Sequence, residues 1–223
     1  MGRSTTARML RGFYEAAYAA YGPRHWWPGD SPLEVMVGAV LTQNTNWTNV
    51  ERAIANLKSN SLLDWHRLDR MSHGELADLI RPAGYFNVKA RRLKSLAAWV
   101  VETFDGDLEA MFSLSTASLR ERLLAVNGIG RETADSILLY AGGHVTFVVD
   151  AYTARILRRH GLIDEQADYE EIKALFEDNL PADEALFNEY HALLVEVGKR
   201  CCRPRNPRCA QCPLDEFPHD PTP

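Results

Sequence analysis

The sequence predicts an all-α protein, and three observations carry that expectation. Apolar residues recur at three- and four-residue spacing through almost the whole chain. The only β-like run, HVTFVV at 144–149, is too short and isolated to persist as a strand and reads as an extended connector. With 223 residues, 46% hydrophobic and 25% charged, the chain has ordinary globular composition and enough length for one compact fold or two small lobes.

Residues 7–21 place Leu10, Phe13, Tyr14, Ala17 and Tyr21 on one helical stripe, which Gly22-Pro23 ends. After the loop PRHWWPGDSP, Ser31 and Pro32 open LEVMVGAVLTQ, apolar on nearly all sides and therefore a buried central helix. Asn44 to Asn46 interrupt it, and NWTNVERAIANLK begins the next helix. Amphipathic segments follow at 61–70, 73–81 and 87–104, the last with Val88, Leu93, Leu96, Ala97 and Val100 inward. Further helices are predicted at 116–126, 131–141, 150–160, 168–178 and 183–197. No internal repeat is present. The segment from Arg200 onward is too rich in proline and cysteine to be helical and is expected to need a cross-link for order.

The charge balance is acidic, 25 Lys+Arg against 30 Asp+Glu for a net −5. That excludes a protein that holds nucleic acid through bulk positive charge, while leaving room for local patches. The early arginines are followed by no apolar stretch long enough for a signal peptide or a membrane span, so a cytoplasmic protein is expected. All four cysteines, Cys201, Cys202, Cys209 and Cys212, crowd into the final tenth of the chain. A disulfide framework spreads its cysteines through a small fold, so one local metal site is the better reading.

The sharpest local signal is LLAVNGIGRETADSILLYA. A helix ends at Val126, Asn127-Gly128-Ile129-Gly130 turns the chain, and a second helix starts at Arg131. Two glycines around one apolar residue admit a close partner while Ile129 fills the space between the helices. Amides at the new N-terminus suit a phosphate; an ordinary αα turn with a glycine cap is the alternative. Asp150 follows VTFVV at the head of AYTARILRRHG, where a carboxylate can simply cap helix amides.

Taken together, LTQNT near residue 42, GYFNVKARRL at 84–93, LLAVNGIGRETA, VVDAYTARIL and the cysteine tail resemble, in order, the helix-hairpin-helix glycosylases of the endonuclease III superfamily. The resemblance implies two all-helical lobes, residues 31–144 and residues 1–30 with 145–223, and an active cleft between them. It implies a DNA glycosylase that bends duplex DNA and flips a damaged nucleotide into its pocket. Asp150 then matches the aspartate that stabilises the oxocarbenium-like sugar and directs water. Gly128, Gly130, Arg131 and Lys89 match DNA-backbone positions, and Gln43 matches a glutamine directed at the gap left by the extruded nucleotide. Glu132 stands where bifunctional members carry a nucleophilic lysine, in a GxGRK context, so the resemblance favours a monofunctional enzyme, with a bifunctional or mismatch-directed glycosylase of the same fold and a noncatalytic DNA-binding module as alternatives.

The Trp26-Trp27-Pro28 segment and GIGRETAD narrow the likeness to the endonuclease III-like 3-methyladenine DNA glycosylases. An N-alkylated purine carries positive charge and leaves as a neutral base, so one carboxylate suffices. Trp26 and Trp27 offer electron-rich faces for such a cation, with core packing as the alternative; Glu132 and Gln43 complete the substrate-facing set. Trp47, Trp65 and Trp99 fall in helical patterns and are read as core. The basic clusters Lys89, Arg91, Arg92, Lys94 and Lys199, Arg200, Arg203, Arg205, Arg208 are candidate phosphate contacts. Arg155 is a further candidate, or a partner of Asp150 or Glu132.

The resemblance also implies a [4Fe–4S] cluster held by cysteines spaced x6, x2 and x5. Cys202, Cys209 and Cys212 fit the first three places; the fourth is Pro218, which cannot bind iron. Cys201 or His219 could take its place; a three-ligand cluster, a Cys3His zinc site and complete loss of the metal are further alternatives. The partner implied is double-stranded DNA with a damaged base, bound by a monomer in the nucleoid, with no membrane contact.

Overall fold

A computed structural model describes residues 3–220. Among them are twelve α-helices and no strand. They are α1 (Arg3–Tyr21), α2 (Pro32–Leu41), α3 (Trp47–Ser59), α4 (Trp65–Arg70), α5 (His73–Leu79), α6 (Phe86–Phe104), α7 (Leu108–Phe112), α8 (Thr116–Ala125), α9 (Arg131–Ser136), α10 (Ala151–Arg159), α11 (Tyr169–Glu177) and α12 (Glu184–Arg200). The chain divides into two compact units: Trp27–His144, and the stretch up to Trp26 together with that from Val145 onward. None of the helices is long and apolar enough to cross a membrane.

In the Trp27–His144 unit, α2 is the axis. Ser31 accepts from Glu34 N at 3.3 Å and Pro32 presets the first turn, after which every residue from Val35 to Leu41 is buried. Around it pack Val50, Ile54 and Leu57 of α3, Leu93, Leu96 and Val100 of α6, and Ile137 and Leu138 beyond α9. The run expected to be helical at 61–70 starts only at Trp65, because Asp64 caps Arg67 N at 2.9 Å and Ser61 turns the chain at φ +55. The helix expected over 131–141 is α-helical to Ser136 and closes as one π-turn over Ile137–Ala141. α7 was not expected; its signal is Asp107, which accepts from the amides of Glu109 and Ala110.

In the other unit, α1, α10, α11 and α12 share an aromatic core. Phe147, in the extended connector, stacks on Phe176 with centroids 3.7 Å apart. Tyr190 of α12 is fully buried and donates to Leu10 O of α1 at 2.7 Å. Gly198 brings α12 close to α10: a Cβ there would meet Tyr152 Cδ1 at 2.3 Å. That contact sets the register between the two helices that carry this unit's chemistry.

Candidate active site and cysteine loop

The hairpin joins α8 to α9. Ile129 N donates to Val126 O at 3.1 Å, closing the turn, and Ile129 itself is only 5% exposed among core residues of this unit. Gly128 sits at φ +86, where a side chain is strained. Gly130 caps α9 with extended backbone and brings no side chain over the first amides, which an α-helix leaves without intrahelical acceptors. Arg131 and Glu132 are exposed at this end. A bidentate pair braces the hairpin from behind: Arg120 Nε and Nη2 donate to the carboxylate of Asp135, which is fully buried, at 2.8 and 3.1 Å.

Gln43 belongs to this assembly. Its Nε2 donates to Gly128 O at 3.3 Å and to Thr133 Oγ1 at 2.9 Å, while its Oε1 accepts from Arg92 Nη1. Thr133 is a part of this assembly that the sequence reading missed, and Arg92 of α6, expected as a phosphate contact, instead donates to Gln43. The side chain of Gln43 is held by three elements of one unit, α6, the hairpin turn and α9.

Lys89 corrects an expectation. It is 1% exposed, and its ammonium donates to Leu41 O at 2.8 Å and Ala83 O at 2.7 Å. It satisfies carbonyls at the end of α2 and in the turn before α6, and presents no charge to a phosphate. Burial, aided by the nearby Arg92 charge, lowers its pKa from 10.5 to about 8. Lys94 is engaged in the same way, donating to the carbonyls of Asp69 and Met71 at 2.6 Å at the end of α4. Of the cluster expected at 89–94, only Arg91 is fully exposed.

The tryptophan pair is divided between the units. Trp27 meets Trp47 edge-on at 5.2 Å and Tyr140 at 5.2 Å, and its indole lies against the Gly38 backbone of α2, so its placement favours packing. Trp47 is a partly buried neighbour in the same cluster, Trp99 likewise, and Trp65 is a core residue. Trp26, in the other unit, has the Lys199 ammonium 5.9 Å from its ring centroid, a cation–π arrangement.

Asp150 caps α10, with Oδ1 accepting from Thr153 N at 2.7 Å. Oδ2 lies 3.7 Å from Nε2 of His191, a buried residue of α12. Burial lowers the His191 pKa, the Asp150 carboxylate opposes that, and Lys199 adds to it. One oxygen thus fixes the side chain on the helix, and the other faces His191. His191 escaped the sequence reading; its signal is one imidazole inside the apolar run YHALLV.

Arg155 was expected as a phosphate contact or as a partner of Asp150 or Glu132. Its Nε instead donates to Cys202 O at 2.7 Å. One turn on, Arg159 donates to Cys202 Sγ at 3.3 Å, Arg203 O at 2.7 Å and Pro204 O at 3.2 Å. These bonds order the segment after α12 through protein contacts as well as through any cross-link. All four cysteines, with Arg159, His160, Asp215 and His219, line one cavity with about 340 Å³ of empty space, part of it open to solvent. Burial raises the Cys209 thiol and pushes Cys212 up to about 12. Among the described residues no three His, Cys, Asp or Glu side chains converge as a single ion requires.

A family profile described as the HhH-GPD superfamily base excision DNA repair protein matches residues 37–182. A relative from Methanocaldococcus jannaschii, named provisionally as a DNA repair glycosylase, is 49% identical over 211 residues, 94% of this chain and 95% of its own. Endonuclease III of Sulfolobus acidocaldarius is 29% identical over 185 residues, covering 82% of this chain and 79% of its own. Among solved structures, Helicobacter pylori 3-methyladenine DNA glycosylase bound to 1,N6-ethenoadenine superposes with TM-score 0.76 at 28% identity, over 87% of this chain and 97% of that one. A non-covalent endonuclease III–DNA complex gives TM-score 0.81 at 20% identity, over 99% and 97%, and shows the shared fold.

Proposed function

This chain belongs to the HhH-GPD superfamily of base excision DNA repair proteins, and we propose that within it the chain is a monofunctional DNA glycosylase that removes alkylated purines of the 3-methyladenine type. It is a DNA N-glycosylase and its partner is DNA. The observation that carries the finer reading is Glu132, exposed in the first turn of α9 beside Gly130, where a lyase requires an amine. A carboxylate cannot form the imine on which strand cleavage depends.

In the proposed reaction the N-glycosidic bond breaks and its electron pair leaves with the cationic base, which departs neutral. The sugar is left as an oxocarbenium ion. The carboxylate of Asp150 stabilises that charge more than the neutral ground state, then accepts the proton of the water that attacks the anomeric carbon, leaving an abasic site. Gln43 and the hairpin glycines engage the duplex. Trp26 offers a cationic base the face that Lys199 already addresses. The likeness to the Helicobacter pylori enzyme supports the substrate class. The residues of the cysteine cavity fit an iron–sulfur cluster, which when bound supplies a covalent cross-link for the loop; Cys202, Cys209 and Cys212 would hold it.

The test is release of 3-methyladenine from alkylated duplex, with borohydride added in parallel. Wild type should release free base with no trapped adduct. Asp150→Asn, which retains a good helix cap, should lose activity by roughly 100-fold or more while melting like wild type. Unchanged release by Asp150→Asn rejects the catalytic assignment, and a trapped adduct rejects the monofunctional reading.

A further inference from the structure

Position 218 is where the spacing of Cys202, Cys209 and Cys212 calls for a fourth thiolate, and it holds a proline whose carbonyl accepts from His160 Nδ1 at 3.0 Å. Pro218 does not line the cysteine cavity; Cys201 does. Cys201 is 4% exposed, and its thiol donates to Gln211 O at 3.3 Å, lies 3.6 Å from the Tyr21 hydroxyl and lines the cavity together with Cys212. The loop is folded around this one residue. The amides of both Arg203 and Arg208 donate to Cys201 O, at 2.8 and 2.9 Å, which returns Cys209 to the cysteine pair.

Adjacent cysteines face opposite ways in an extended chain and cannot share a cluster there. At Cys201 the backbone is still helical, φ −116 and ψ −57, and the amides of Cys201 and Cys202 both donate to Val197 O at 2.9 Å. In helical backbone successive side chains diverge by about 100° rather than 180°, so both thiols can line one recess. Arg159 reaches Cys202 Sγ and would offset the negative charge that four thiolates bring. His219 also lines the cavity, but its Nδ1 lies 2.8 Å from Phe217 O and its Nε2 3.7 Å from Asp215 Oδ1. Both nitrogens are turned to oxygen atoms, and iron–sulfur chemistry favours thiolate over imidazole.

We propose that Cys201 replaces the missing ligand at position 218, so that the adjacent pair Cys201–Cys202, with Cys209 and Cys212, holds a [4Fe–4S] cluster. This rests on the reading that the loop carries such a cluster. The test reconstitutes the full chain anaerobically with iron and sulfide and measures metal and sulfide content, absorption and electron paramagnetic resonance. Wild type should take up four irons and four sulfides per chain, and the reduced cluster should show no nitrogen hyperfine coupling. Cys201→Ser should lose the four-iron signal, and His219→Ala should keep it.

A Cys201→Ser chain with wild-type iron content and spectrum overturns the proposal, as does nitrogen coupling in wild type, which would point to His219. The wild-type spectrum decides the question even if Cys201→Ser fails to fold. Wild type that takes up no iron overturns the proposal together with the cluster reading, whereas a loaded wild type and an unaffected Cys201→Ser overturn the ligand assignment alone.

Discussion

Gly128 and Gly130 look alike in the sequence, yet the structure separates them. Gly128→Ala places a Cβ at φ +86, which costs about 1–2 kcal/mol for a non-glycine residue. The same Cβ lies 2.2 Å from Arg92 Cγ, 2.9 Å from Cδ and 3.0 Å from Cβ. These atoms are near the root of the arginine, so relief requires moving the whole side chain and breaking its bond to Gln43. Overpacking adds about 1–3 kcal/mol, and the lower entropy of the unfolded alanine chain returns roughly 0.4–1 kcal/mol. The net cost is about 1–4.5 kcal/mol, roughly a 2–18 °C fall in melting temperature for a protein of this length. At Gly130, φ is −91 and a Cβ meets nothing within 4 Å. Gly130→Ala should therefore melt within about 0.5 kcal/mol of wild type, while its methyl group, beside the first amides of α9, weakens binding to undamaged duplex. Calorimetry and a fluorescence-anisotropy titration read the two effects separately. A Gly128→Ala protein within 1 kcal/mol of wild type, or a Gly130→Ala protein equally destabilised, refutes the reasoning.

Asp135→Asn leaves Arg120 facing a neutral buried partner and should cost about 3–5 kcal/mol in denaturant unfolding; a loss below 1 kcal/mol would mean the pair behaves as a surface contact. Lys89→Met removes the donor to two carbonyls and should cost about 2–4 kcal/mol at neutral pH. The pH dependence has a definite sign: with the folded pKa lowered to about 8 from 10.5, the unfolded chain holds the proton longer, so wild-type stability gains a rising contribution between those values. Unfolding measured across that window should show this contribution in wild type and not in Lys89→Met. His191→Gln should leave melting and duplex affinity near wild type and slow single-turnover base release roughly tenfold by loosening Asp150; weaker binding at an unchanged rate would reject that role. Near the hairpin and the cysteine loop, exposed cations are Arg91, Arg131, Lys199, Arg200, Arg205 and Arg208, so the slope of log affinity against log salt should not exceed roughly 5–6 in magnitude.

Periodicity made the helices legible because most bury one face, and α2 was legible as central because it is apolar all round. Their ends were less so: α4 starts late because of a side-chain cap at Asp64, and the helix after Arg131 closes in a π-turn that leaves no mark on the 3.6-residue pattern. The hairpin and Asp150 stood out because glycines and a lone carboxylate at element boundaries are local features. Thr133 and His191 did not, and Arg92 stood out only as a charge, because their importance lies in what the fold brings beside them.

Charge shows the difference most sharply. A basic run such as Lys89, Arg91, Arg92, Lys94 gives the positions of four cations without naming their acceptors. On α6 a heptad's worth of rotation sends Lys89 into the core, Lys94 to the end of α4 and Arg92 to Gln43, and leaves Arg91 in solvent. The same holds on α10, where Arg155 and Arg159 serve the cysteine loop rather than phosphate. An acidic DNA-binding protein is then less paradoxical than its net charge suggests. Arg24, Arg67, Lys89, Lys94, Arg155 and Arg159 bond to the protein's own carbonyls, and on the function proposed above the burden of holding DNA shifts toward uncharged backbone amides at the hairpin and toward the flipped base itself.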